Sequence, residues 1–109
     1  MGEFAVGDVV LVSFPFSNLK GQKLRPALVV ANVEFNNLIL CQITSKPYTS
    51  KISICLKAKD FIEGGLPVVS YVRPDKLFTA DMSIIRNTVG MLTNKNKDSI
   101  LKNIRELFI

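Results

Sequence analysis

The stretch of sequence that decides the fold is RPALVV, residues 25–30. A cation, Arg25, stands directly before a proline, and an unbroken apolar run continues from Ala27 in the pattern of a buried β-strand. A polar, glycine-containing segment precedes it, and a second apolar run lies upstream at residues 9–14. The pattern predicts two strands joined by a basic loop, with Arg25 where the loop meets the second strand. An arginine fixed at such a junction is suited to binding phosphate.

The length and composition predict a single domain spanning residues 1–109. Hydrophobic residues make up 48% of the chain and charged residues 21%, which argues against disorder. No apolar run approaches the roughly 18 residues of a membrane span, and no secretion signal is recognisable, so we expect a cytoplasmic protein with no membrane contact. Cys41 and Cys55 lie in predicted strands. Buried thiols are more usual in such a protein than a disulfide, although two facing cysteines on neighbouring strands would allow one.

The charged residues predict a polyanionic partner and no metal. The chain has no histidine, which excludes a histidine general base and most catalytic zinc sites. Its carboxylates are scattered without metal-ligand spacing, so we expect neither a metal ion nor another cofactor. The net charge is +5, and its cations cluster: Lys20, Lys23 and Arg25 lie in one predicted loop, and Lys46 and Lys51 in another. The clustering favours a role of these cations in binding nucleic acid over the alternative that the charge serves only solubility.

The remaining pattern predicts five or six short strands followed by one helix. Strands are expected at residues 9–14, 26–31, 38–44, 52–56, 67–72 and 89–92, with residues 81–85 ambiguous between turn and strand. Asn36-Asn37 predicts a turn, Pro74-Asp75 a bend and residues 59–61 a short helical turn. From Thr93 or Asn94 the apolar spacing becomes helical. The fold class is therefore mainly β with a C-terminal α-helix, arranged as a small, strongly bent barrel.

Four segments in this order resemble the MazF/PemK toxin family, and together they cover essentially the whole chain. They are GDVVLVSFPF at residues 7–16, RPALVV at 25–30, ITSK at 43–46 and SYVRPDKLF at 70–78. The resemblance implies an SH3-like barrel of the kind shared with CcdB-like toxins, closed by a C-terminal helix and working as a homodimer.

The resemblance also implies a function. Members are growth-inhibiting toxins of type II toxin–antitoxin systems and act as mRNA interferases. They are metal-independent endoribonucleases that cut single-stranded RNA within short sequences, leaving 2′,3′-cyclic phosphate and 5′-hydroxyl ends. By motif match, the family's catalytic arginine and threonine are Arg25 and Thr44. The expected protein partner is a cognate antitoxin, whose acidic, extended segment would cover the basic groove.

The residue types fit this chemistry. Attack by the RNA's own 2′-hydroxyl puts negative charge on a phosphorane. The guanidinium of Arg25 can neutralise this charge by donating two parallel N–H hydrogen bonds to two phosphate oxygens. Arginine is a poor base, because its pKa exceeds about 12, although it could donate a proton to the leaving group. The hydroxyl of Thr44 can donate to a phosphate oxygen or orient the 2′-hydroxyl. The proton acceptor is left open among a backbone group, a solvent chain and a substrate phosphate oxygen.

Further residues are expected to bind RNA through the two loops, Tyr48 by stacking on a base. These residues are Lys20, Gln22, Lys23, Ser45, Lys46, Tyr48 and Lys51. An alternative is a non-catalytic module on the same barrel that binds nucleic acid or DNA gyrase, since fold alone does not decide function. The pair of Arg25 and Thr44 favours the ribonuclease, because a gyrase binder does not require it.

Overall fold

The described part of the chain forms a curled antiparallel sheet of seven strands with one α-helix packed against it. The structure, a computed structural model, describes residues 4–14, 23–46 and 51–109, without the side chain of Phe14. Its elements are β1 (Asp8–Phe14), β2 (Lys23–Val33), β3 (Asn37–Thr44), β4 (Ile54–Leu56), β5 (Phe61–Gly64), β6 (Ser70–Asp81), β7 (Ile85–Leu92) and α1 (Asn94–Glu106). Short 3-10 turns occupy Ala58–Asp60 and Met82–Ile84. The predicted class, mainly β with a C-terminal helix, is confirmed.

The strands lie in the order β4-β6-β3-β2-β1-β7-β5, and every pair is antiparallel. The two edge strands, β4 and β5, follow each other in the chain yet form no ladder with each other in the described residues. The sheet therefore curls into a half-barrel with an open seam. The prediction of five or six strands missed β5, whose residues lack clear alternation and form a strand by pairing with β7.

A bulge in β6 replaces the predicted bend at Pro74-Asp75. β6 begins at Ser70, three residues after the predicted start, and continues through the proline to Asp81. Its register with β3 moves from Ile43 opposite Val72 to Cys41 opposite Leu77, so residues 73–76 lie opposite Gln42 alone. Proline lacks an N–H for the ladder, and a bulge is where a sheet tolerates it.

The hairpin between β2 and β3 turns one residue earlier than predicted. Phe35 and Asn36 have positive φ angles of 62° and 60°, while Asn37 already belongs to β3 and pairs with Val33. The register of the two strands fixes the turn at residues 34–36. The left-handed conformation therefore falls on a phenylalanine, a residue for which it is strained.

Alternation along the central strands buries both faces of the sheet in two clusters. The helix-side core comprises Val9, Leu28, Cys41, Ile43, Leu56, Val72, Leu92, Ile100 and Ile104, and the second core comprises Val10, Val12, Ala27, Val29, Leu38, Leu40, Ala80 and Ile85. Successive residues 27–29 belong alternately to the two cores, which explains the unbroken apolar run of β2. The helix begins as predicted, after Thr93, whose hydroxyl accepts the N–H of Asn96 at 3.3 Å. In the part of the chain described, no helix combines the length and apolarity needed to cross a membrane.

Candidate functional site

Arg25 lies near the start of β2 with its side chain exposed. Its Cα is paired with that of Val12 on β1, which is completely buried. Among the described residues, the guanidinium has no hydrogen-bond or ion-pair partner. A rigid strand therefore positions the arginine, while its charged end is available to an anion.

Thr44 is the last residue of β3, and its hydroxyl is oriented by the chain that follows. The side chain is half-buried, and Oγ1 accepts a hydrogen bond from the backbone N–H of Lys46 at 3.1 Å. A hydroxyl has one proton and two acceptor positions, so this bond leaves the proton free to be donated. The geometry thus presents Thr44 as a hydrogen-bond donor at the end of a strand.

The sheet register brings Arg25 and Thr44 together. At this end of the ladder between β2 and β3, the last pair is Ala27 with Gln42. Two further residues along each strand lead to Arg25 and Thr44. Neighbouring strands are about 5 Å apart, so both side chains can reach one phosphate group. Arg25 shares the face of Ala27, and Thr44 shares the face of Leu40, because residues two apart point the same way. Both therefore lie on the second-core face, opposite α1.

The other predicted RNA-binding residues divide into three groups. Lys23, Ser45 and Lys46 are exposed and lie at the same end of the sheet as Arg25 and Thr44. Lys51 is exposed just before β4, separated from β3 by β6, so the structure does not place it in this group. Lys20, Gln22 and Tyr48 lie outside the described residues.

Three residues of β6 that sequence reasoning did not assign to the site lie beside it. Tyr71 is half-buried, and its Cα is paired with that of Thr44 on one side and that of Cys55 on the other. In the bulge that follows, Arg73 Nη2 and Asp75 Oδ2 form a salt bridge of 3.4 Å. The segment SYVRPDKLF carries part of the family resemblance, but the register that brings it against Thr44 is visible only in the sheet.

The two cysteines are both free, and their surroundings differ. Cys41 is buried in the helix-side core, where its Sγ donates to the carbonyl oxygen of Arg73 at 2.8 Å. Burial, aided by the charge of Asp75, raises the pKa of the Cys41 thiol to about 12. Cys55 is exposed on β4. The expectation that both thiols are buried was wrong for Cys55, which is exposed because β4 is an edge strand.

The arrangement can bind an anion and donate hydrogen bonds to it. Arg25 supplies a fixed positive charge, Thr44 supplies a hydroxyl proton, and Lys23 and Lys46 add charge at the same end. No group of three or more histidine, cysteine or carboxylate side chains in the described ranges could hold a metal ion.

Comparisons with known proteins place this fold among toxins. The model of the family described as "PemK-like, MazF-like toxin of type II toxin-antitoxin system" matches residues 5–108. The comparison with curated protein sequences gives no match.

Solved structures from mycobacteria and from Deinococcus radiodurans have the same fold. An endoribonuclease in complex with its cognate antitoxin, from a mycobacterial species, aligns over 99% of this chain and 95% of its own, with TM-score 0.74 and 15% identity. The Mycobacterium tuberculosis toxin MazF-mt6 aligns over 93% and 95%, with TM-score 0.69 and 18% identity. A MazE-MazF structure from Deinococcus radiodurans aligns over 94% of each chain, with TM-score 0.73 and 20% identity. At these identities the likeness concerns the fold.

Proposed function

Since the chain belongs to the PemK-like, MazF-like toxins of type II toxin–antitoxin systems, we propose that it is a metal-independent endoribonuclease acting on single-stranded RNA. The observation that carries the proposal is the convergence of Arg25 and Thr44 at one end of the sheet. A guanidinium and a hydroxyl donor on adjacent strands are the groups that a phosphorane needs for charge neutralisation and hydrogen bonding.

In the proposed reaction, the 2′-hydroxyl of the substrate attacks the neighbouring phosphorus and the 5′-oxygen leaves. Arg25 binds the non-bridging phosphate oxygens and stabilises the charge that builds up on them. Thr44 Oγ1, which accepts a hydrogen bond from the N–H of Lys46, donates a hydrogen bond to one of the same oxygens. The leaving 5′-oxygen takes a proton from the guanidinium of Arg25 or from solvent, and the products are a 2′,3′-cyclic phosphate and a 5′-hydroxyl end.

The proton of the 2′-hydroxyl requires an acceptor, and we assign this role to Asp75. Among the carboxylates of the described residues, Asp75 lies on the strand that pairs with the end of β3, in the bulge opposite Gln42. Its salt bridge with Arg73 holds the carboxylate, whose side chain is 39% exposed and so accessible to a substrate. A carboxylate at hydrogen-bond distance from the hydroxyl acts as a general base.

Substrate binding is proposed to use the charged end of the sheet. Lys23, Ser45 and Lys46 would contact the RNA backbone on either side of the scissile phosphate. Tyr71, paired with Thr44, offers an aromatic ring next to the reaction. Lys20, Gln22, Tyr48 and Lys51 remain proposed RNA contacts from the adjoining segments.

Two protein partners complete the proposal. The first is a second copy of the chain, because large apolar side chains remain exposed, among them Phe108, which is 73% exposed after the end of α1. The second is an antitoxin whose acidic, extended segment covers the cations around Arg25, in a cytoplasmic complex. Size-exclusion chromatography with light scattering at micromolar concentration tests the dimer, and a monomer would contradict it.

The decisive experiment for the enzyme is RNA cleavage in EDTA. The purified protein is incubated with several long single-stranded RNAs, and both new ends of each fragment are mapped and their phosphorylation determined. The variant Arg25→Ala is tested beside Arg105→Ala, which removes the same charge from an exposed position on α1, across the sheet. We expect discrete cuts with 5′-hydroxyl ends from the wild type and Arg105→Ala, and none from Arg25→Ala.

Other outcomes would contradict the proposal in different ways. Equal cleavage by Arg25→Ala would remove the arginine from the mechanism. Failure of the wild type to cut any of the RNAs would instead favour the non-catalytic module that binds nucleic acid or gyrase. Cleavage that stops in EDTA and returns with a divalent cation would show that a metal takes part.

A further inference from the structure

Gln42 is a polar residue beside Arg25 and Thr44 that the proposed reaction does not use. It precedes Thr44 by two positions on β3, so the two side chains lie on the same face of the strand. Leu40, two positions earlier again, belongs to the second core, so this face is the one opposite α1. Gln42 therefore places an amide on the face where Arg25 and Thr44 converge.

The strands on either side of Gln42 place little bulk directly opposite it. On β2 its Cα is paired with that of Ala27, whose side chain is a single methyl group. On β6 the ladder is interrupted by the bulge, so that residues 73–76 lie opposite Gln42 alone. A bulge displaces the side chain that a regular ladder would place in the same row, and bulges are frequent next to active sites. The register thus leaves the flanks of Gln42 less crowded than those of a residue in a regular sheet.

The amide of Gln42 is available to a ligand. The residue is half-buried, so the sheet holds part of its side chain while the rest contacts solvent. Among the described residues the amide has no hydrogen-bond partner, and neither of its polar atoms is fully buried. A primary amide carries two N–H donors and a carbonyl acceptor. Gln42 can therefore offer a donor and an acceptor side by side.

Tyr71 supplies an aromatic ring next to the amide. Its Cα is paired with that of Thr44, so the two side chains share the second-core face. Val72, the next residue, lies in the helix-side core, and alternation along β6 agrees with this assignment. Tyr71 is half-buried, and in the part of the chain that the structure describes its hydroxyl has no hydrogen-bond partner. Aromatic rings in such positions stack on the bases of single-stranded RNA.

The proposed reaction determines which nucleotide reaches these two residues. Arg25 and Thr44 bind the scissile phosphate, and Asp75 on β6 accepts the proton of the attacking 2′-hydroxyl. The ribose that carries this hydroxyl therefore lies towards β6. Its base, which is the base on the 5′ side of the cut, then lies over Tyr71 and Gln42.

The hydrogen-bonding groups of Gln42 match adenine. The 6-amino donor of adenine lies beside the N7 acceptor, and glutamine binds this pair with two hydrogen bonds, whereas guanine presents only acceptors on the same edge. A purine also covers more of a tyrosine ring than a pyrimidine does. Taking the chain as a ribonuclease, as proposed above, we propose that Tyr71 stacks on the base 5′ of the cut and that Gln42 binds its edge, so that this position selects adenine.

The first test is single-turnover cleavage of short RNAs that contain a mapped cut. The base 5′ of the cut is adenine, guanine, cytosine, uracil or unsubstituted purine, which keeps the ring system of adenine and lacks its 6-amino group. We expect the wild type to cut the adenine substrate about tenfold or more faster than the others, purine included. Gln42→Met keeps the length of the side chain without the amide, and it should cut the adenine and purine substrates at rates within about threefold of each other. Asn103→Leu, which removes an exposed amide from α1, should keep the wild-type preference.

Binding of an RNA that resists cleavage separates base recognition from the ribonuclease reaction. A 2′-fluoro RNA has no 2′-hydroxyl to attack the phosphate, so its affinity reports recognition alone. A short 2′-fluoro oligouridine with one central adenine should bind the wild type about tenfold more tightly than the same oligomer with purine, and Gln42→Met should remove the difference. Tyr71→Leu should weaken the binding of both oligomers about tenfold, because both bases stack. This preference in a protein that cuts no RNA would support adenine recognition and contradict the ribonuclease.

Three results would overturn the proposal while leaving the ribonuclease intact. Equal rates and equal affinities of the wild type for adenine and purine would show that the 6-amino group is not read, and this comparison needs no variant. A preference for adenine that persists in Gln42→Met would assign the recognition to another residue. Equal slowing of every substrate by Gln42→Met, in samples that thermal unfolding shows to be folded, would give Gln42 a role in the reaction instead of in the choice of base.

Discussion

Replacing Thr44 by valine should separate the catalytic contribution of its hydroxyl from its structural one. Valine keeps the β-branched shape that suits a strand and removes only the hydroxyl. The folded protein then loses one exposed hydrogen bond, the 3.1 Å contact from the N–H of Lys46. A bond of this kind contributes about 0.5–1.5 kcal/mol, and exposure favours the lower value. A loss of about 0.5 kcal/mol would lower Tm by roughly 2–4 °C.

The effect on cleavage should be far larger. Removing one hydrogen-bond donor that faces developing charge in a transition state costs about 2.7–4 kcal/mol, which is 10²–10³ in rate. The assay is single-turnover cleavage of a short fluorescent RNA that contains a mapped site, with thermal unfolding measured on the same samples. Thr44→Ser, which keeps the hydroxyl, is the matched control and should stay within about tenfold of wild type.

The reasoning would be refuted if Thr44→Val cleaved within threefold of the wild type. The hydroxyl would then serve only to hold the turn after β3, and the donor to the phosphate would have to be sought elsewhere. If Thr44→Val and Thr44→Ser lost activity equally while remaining folded, the methyl group of the threonine would matter more than its hydroxyl.

Five further predictions concern stability, thiol chemistry and the proposed base. Ile100→Ala, in the helix-side core, should lower the free energy of unfolding by about 2–5 kcal/mol in denaturant titrations. Phe35→Gly should raise it by about 1 kcal/mol, because Phe35 is 85% exposed and strained at φ 62°; lower stability would contradict this. Ellman's reagent at pH 8 should modify one thiol quickly, that of Cys55. Because the pKa of Cys41 is raised from 9.0 to about 12, the folded state holds the thiol proton to higher pH than the unfolded state. The stability contributed by Cys41 should therefore be full below pH 9 and decline towards pH 12, so the loss of stability over this range should be smaller in Cys41→Ala. Asp75→Asn should slow single-turnover cleavage about 10²-fold or more; an unchanged rate would leave solvent or substrate as the acceptor.

Most individual elements could be predicted because their signals are local. The apolar run of β2 reflects burial on both faces, and the helical spacing after Thr93 matches a helix whose first turn is capped by that threonine. The helix and the central strands therefore followed from neighbouring residues. β5 did not, because Phe61–Gly64 becomes a strand by pairing with β7, about thirty residues away in the chain. Gly64 enables that pairing, since a Cβ there would meet the carbonyl oxygen of Val89.

The candidate site was determined in part by the sequence and in part by the tertiary structure. The residue types at Arg25 and Thr44, and the family motifs around them, were sufficient to nominate a phosphate-binding pair. Only the sheet register decides that the two lie level on adjacent strands and that Tyr71 is paired with Thr44. The physical reason is range: side-chain chemistry and local propensity are properties of short segments, whereas register, bulges and the seam between edge strands depend on contacts between distant ones.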